Sequence, residues 1–155
     1  MDPPRKRTKI SLHITPPDIN GDSVMAPIVN IDPHGDVIFD TGEPDKNILL
    51  RVSSEVLKKA SKVFAAMLGP NFLEGHDLGL ESSTPKQPKV IRLPEDSKIP
   101  FTILCSVING KYFHPLDMKA FADVADLIHK YACADATRPW SKRLLQRWAS
   151  QRNPD

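Results

Sequence analysis

His129 and Cys133 stand four residues apart, the spacing that places two metal-ligating side chains on one face of a helix. Such a pair is half of a tetrahedral zinc site, and the chain offers no second pair at ligand spacing. A core thiol beside a boundary histidine is therefore the better reading. Serine, histidine and aspartate are all present, yet no G-x-S-x-G elbow, H-E-x-x-H helix or phosphate-cradling glycine loop draws them into a catalytic pattern. The seven glycines sit mainly at turns and helix ends. His34 lies in "DPHGD", a turn composition that needs no chemistry to account for it. These residues predict a protein that is not an enzyme, with no metal and no organic cofactor.

Three other groupings bear on binding. In "GPNFLEG" the apolar pair Phe72-Leu73 follows a helix stop and is itself followed by Glu74. An exposed apolar anchor gains affinity by desolvation, and an adjacent acid selects a partner with a matching donor. The competing reading folds Phe72 and Leu73 back to close the helix end. Near the start, Arg5, Lys6, Arg7 and Lys9 form a basic run that suits nuclear import or a weak nucleic-acid arm. Toward the end, Arg138, Lys142, Arg143, Arg147 and Arg152 occur with no acid between Asp135 and Asp155. Trp140 and Trp148 share a four-residue stripe with Ala136 and Leu144, which reads as a buried face leaving the arginines solvated.

The elements that must carry these residues follow from pattern. Residues 1–26 are basic and proline-rich with few large apolar groups, and are expected to be disordered. "IVNID", the "DPHGD" turn and "VIFDT" read as a β-hairpin over residues 28–41, and "ILLRV" (48–52) as a third strand. Leu57, Ala60, Phe64 and Met67 or Leu68 then recur at helical steps. Ser53 or Ser54 caps that region and Ser61 offers a second cap, so two short helices are expected to meet at Ala60-Ser61. Gly69-Pro70 stops the second. Residues 75–89 read as a flexible loop and "KVIRLPE" (89–95) as a fourth strand. A helix follows, capped by Ser97, with Pro100 in its first turn and Ile99, Ile103, Leu104, Val107 and Ile108 on its buried face, ending at Gly110. Residues 117–131 form another amphipathic helix, and the last helical region is expected to kink or break at Pro139. Residues 151–155 should fray. The fold class is α+β: a small, mostly antiparallel sheet with a cluster of five to six helices, in one domain over residues 27–150.

The totals agree with this layout. A chain of 155 residues with 40% hydrophobic and 26% charged residues can bury an ordinary core, and its net charge of +2 implies no strong field toward nucleic acid or membrane. Cys105 and Cys133, each within a helical pattern, read as reduced thiols of a nuclear or cytoplasmic protein. No apolar run approaches the ~20 residues of a membrane span.

The order of elements resembles a BTB/POZ domain. "L-x-x-A-S-x-x-F-x-x-M-L" (Leu57, Ala60, Ser61, Phe64, Met67, Leu68) is similar to that family's opening half, and "VIRLPE", "FTILCSVINGKYF" and the Lys130-Tyr131 pair to its closing half. "DPHGDV" and "RPW" resemble the short filamentous-fungal form. The histidine that opens the first helix in many animal members is absent, with Ser53 and Ser54 in that region. The resemblance implies a non-catalytic module for protein–protein interaction and oligomerisation, as a homodimer, as a hetero-oligomer with other BTB proteins, or docked on a scaffold cullin as a ubiquitin-ligase adaptor. It implies that Phe72, Leu73 and Glu74 stand where many members carry a cullin-binding hydrophobic-x-Glu motif. It also implies a dimer face built near Val56, Val63 and Phe64. The alternative from the charge pattern is a small basic, nucleic-acid-binding or transcription-associated nuclear protein.

Overall fold

Val37, Phe39 and Thr41 alternate with Ile38 and Asp40, and Ile48, Leu50 and Val52 with Leu49 and Arg51, so two strands can each present an apolar row to a layer of helices. The computed structural model describes residues 27–42, 46–69, 87–112 and 114–152. Its elements are β1 (Ile28–Asn30), β2 (Val37–Thr41), β3 (Ile48–Val52), α1 (Ser54–Ala60), α2 (Lys62–Met67), β4 (Lys89–Leu93), α3 (Lys98–Ile108), α4 (Met118–Lys130) and α5 (Ala134–Arg152). A four-stranded sheet and five helices among the described residues make a mixed α/β domain, compatible with the α+β class. The basic run Arg5, Lys6, Arg7 and Lys9 and the triplet Phe72, Leu73 and Glu74 lie outside the described residues.

The sheet departs from the expected hairpin. Its order is β1-β3-β2-β4, so β1 and β2 never pair. β1 runs parallel to β3, β3 antiparallel to β2, and β4 parallel to β2, so the sheet is mixed and not mostly antiparallel. The cause lies in the "DPHGD" segment, which crosses the end of β3 where a hairpin turn would double back. Ile31 and Asp32 both donate their amides to the Arg51 carbonyl, at 3.1 and 3.0 Å, which holds the chain on the end of β3. Gly35 then passes so close that a Cβ there would stand 2.2 Å from the Val52 carbonyl oxygen. Only glycine can make that approach. Arg51 fastens the crossing by donating Nε to the Gly35 carbonyl at 2.9 Å.

Helix ends follow the sequence more closely. Ser53 caps α1 through Val56 N, and Asp36 adds a clamp, its two oxygens accepting from Ser54 N (2.8 Å) and Ser54 Oγ (2.7 Å). Ser61 ends α1 and caps α2, accepting from Phe64 N at 2.9 Å, so the two short helices meet where the pattern places them. At the end of α3, Gly110 takes φ +68 while the amides of Gly110 and Lys111 bond back to Val107 and Ser106. That is a left-handed cap, the role glycine fills at least cost. The end of α4 has the same pattern: Ala132 N bonds His129 O and Cys133 N bonds Ile128 O, but Ala132 holds φ +48. Of the kink or break expected at Pro139, the break does not occur, and α5 is one helix from Ala134 to Arg152. Strand β4 begins at Lys89, whose amide donates to the Asp36 carbonyl, so the expected loop over 75–89 gives way to strand at its last residue.

The core has two parts. Phe39, Phe64, Phe101 and Tyr131 bring β2, α2, α3 and the end of α4 together, with Phe39 and Phe101 edge to face at 5.3 Å and Phe64 stacked on Tyr131 at 4.4 Å. Aromatic pairs of this kind add about 0.5–1.5 kcal/mol beyond the area they bury. A second cluster of Ile103, Val107, Val124, Trp140 and Leu144 joins α3, α4 and α5. Trp140 and Leu144 are thus buried as the stripe predicts, Trp148 is half-buried, and Ala136 is exposed. Ile38 and Leu49, on the reverse side of the sheet, are buried as well.

Candidate interaction surface

One polar node sits beneath the surface. Asp96, in the turn after β4, has a side chain only 2% exposed. It accepts from Lys130 Nζ at 2.6 Å and from the Tyr131 hydroxyl. Lys130 also lies 5.3 Å from the Tyr131 ring centre. The Tyr131 carbonyl accepts from Ser61 Oγ, which ties the α1–α2 junction to the end of α4. Burial first, then the bond to Asp96, push the Tyr131 phenol well above its ordinary range. Burial first, then the nearby Cys133 and Asp96, do the same to the Cys105 thiol. Groups held protonated in this way fix structure, and neither thiol is a ready nucleophile. The node fastens the scaffold on which the surface is built.

His129 and Cys133 do not form a ligand pair, and the preferred reading of a core thiol near a peripheral histidine describes them. His129 is exposed on α4, while Cys133 lies past the helix end, buried, with its thiol directed at the Ile128 carbonyl. Among the described residues no three His, Cys, Asp or Glu side chains gather as metal ligands. Of the residues expected at a dimer face, Phe64 is wholly buried in the core and presents no area to a partner. Val56 is half-buried and Val63 is 36% exposed.

Ile99 was expected on the buried face of its helix, but is 61% exposed. It lines a cleft of about 320 Å³ with Pro100, Ile103, Ala120 and Asp123, between α3 and the start of α4. The Ala120 side chain is too short to cover it. On the other side of the same turn of α4, Met118 (69% exposed) and Leu145 (51% exposed) line a second cleft with Trp148 and Ala149. Three large apolar side chains thus stand open around the first turn of α4. Periodicity had placed Ile99 on a buried face, and only the packing of the helices decides that it is left open.

A third cleft lies along α5. Trp140 and Leu144 form its floor, Arg143 and Arg147 stand over it, and Tyr112 and His114 close one side. Tyr112 meets Trp140 edge to face at 6.4 Å and His114 at 5.5 Å. The basic residues of α5 form the solvated face expected of them, and two of these exposed arginines also border an aromatic recess.

Neither family models nor curated proteins give a match to this chain.

Proposed function

We propose that the chain is a non-catalytic protein–protein interaction module of BTB/POZ type, which self-associates or docks a scaffold cullin. The observation that supports this reading is the cluster of Ile99, Met118 and Leu145 around the first turn of α4, lining two shallow clefts. Covering each of these side chains would contribute on the order of 1–2 kcal/mol. A few exposed apolar anchors of this kind are how interfaces concentrate their energy. Phe72, Leu73 and Glu74 extend the proposal as a docking motif, on the resemblance that singled them out.

Calorimetric titration with the N-terminal region of the host's scaffold cullin, alongside sedimentation of the protein alone, tests the proposal. Ile99→Asp/Met118→Asp should abolish whichever association is seen, and Phe72→Ala/Glu74→Ala should weaken cullin capture specifically. Both variants should melt within about 2 °C of the parent, as surface changes do. A chain that stays monomeric at tens of micromolar and gives no heat with the cullin would end this reading.

A further inference from the structure

Arg143 and Arg147 are one helical turn apart and face the same recess, a cavity of about 260 Å³. Neither has an acidic partner among the described residues, whereas Arg138, nearer the start of α5, holds Asp135 at 2.7 Å. The same two arginines border an open shelf with Gln146, Ser150 and Gln151. From residue 140 to 151 a helix covers roughly 16 Å, the length of about five residues of extended chain. The lining is therefore amphipathic in a definite order: an apolar floor, two fixed positive charges above it, and amide and hydroxyl groups beyond.

We propose that this cleft and shelf receive an acidic segment of a partner protein, with a carboxylate bridged by Arg143 and Arg147 and a neighbouring apolar side chain seated on Trp140 and Leu144. Guanidinium groups hold carboxylates through paired, charge-assisted hydrogen bonds, which favours arginine over a point charge in this role. Tyr112 places its phenol on the wall of the recess, a hydroxyl donor at neutral pH as any tyrosine is. A single-stranded nucleic acid fits less well. It needs open ring faces for stacking, and Trp140 is only 8% exposed, with Tyr112 and Phe121 against it.

The full chain, followed by fluorescence of its two tryptophans, is titrated with an end-capped peptide of alternating Glu and Leu. Saturable binding that weakens with salt is expected. It should fall roughly tenfold or more in Arg143→Ala/Arg147→Ala and stay within about twofold in Lys142→Ala. Arg143→Glu/Arg147→Glu should instead acquire affinity for the Lys–Leu counterpart, which guards against a variant that merely fails to fold. The Ile99→Asp/Met118→Asp variant should keep the peptide affinity, separating this cleft from the apolar patch. Equal binding of a Gln–Leu peptide, unchanged binding in the arginine variants, no saturation at millimolar peptide, or tighter binding of a short oligo(U) at the same salt would each overturn the proposal.

Discussion

At Asp96 a single carboxylate joins the turn after β4, the end of α4 and the aromatic core. Replacing it by Ala leaves the Tyr131 hydroxyl and the Lys130 ammonium without their acceptor. The buried Tyr131 hydroxyl would then stay desolvated without a partner, while Lys130, 44% exposed, could turn to water. Asp96→Ala should lose about 1–3 kcal/mol in urea unfolding, with Asp96→Asn between it and the parent because one acceptor oxygen remains. A change within 0.5 kcal/mol, the range of an ordinary surface site, would show that the node contributes nothing. Asp96 was not legible in the sequence, since its partners lie 34 and 35 residues away. The Lys130-Tyr131 pair drew attention through a family resemblance, but nothing local tells what the pair grips. Ser53 and Ser61 were legible, because a cap acts within three residues of itself.

Helix boundaries and strand positions could be read for the same local reason, and strand partners could not. Period-two patterning shows that residues 28–30 and 37–41 are extended, but it carries no information about which neighbour each one meets. The "DPHGD" composition suits a turn and equally suits the crossing over β3, where Gly35 answers a backbone contact invisible in one dimension. Pro139 misled in the other direction: the side chains of α5 that pack on α3 and α4 hold the helix through it. The two left-handed caps give a prediction at this level. Ala132 holds φ +48 at the end of α4, where Gly110 does the same work for α3 without strain. Ala132→Gly should therefore stabilise the protein by about 0.5–1 kcal/mol, and Gly110→Ala should destabilise it by a similar amount. Thermal melting of the two variants should show shifts of opposite sign; a fall in both would mean the Ala132 side chain contributes contacts that outweigh its backbone strain.

Taken as one molecule, the domain should lose stability in alkali. Burial lifts the Cys133 thiol from 9.0 to about 11, and Cys105 and Tyr131 are raised in the same direction. Above pH 9 the unfolded chain releases thiol protons that the folded chain retains, so the unfolded state binds fewer protons and stability declines as pH rises. The contribution is intact below pH 9 and is lost progressively from there to about 11 for Cys133. Unfolding midpoints at pH 8, 9, 10 and 11 should fall in that order, with a shallower slope in Cys133→Ala; a flat profile would contradict the buried placement of these groups. The open patches belong to this scale too, because clefts between α3 and α4 and between α4 and α5 exist only after those helices have packed. The sheet order carries one more consequence, for the sequence of events in time. β2 and β3 are antiparallel neighbours joined through residues 42–47, a contact that a searching chain closes within microseconds. β4 must reach β2 from Val37 to Lys89, and β1 must pass over β3, before either parallel edge can register. Assembly therefore runs from the middle of the sheet outward, and the slow step in reaching the native state is the seating of its two outer strands.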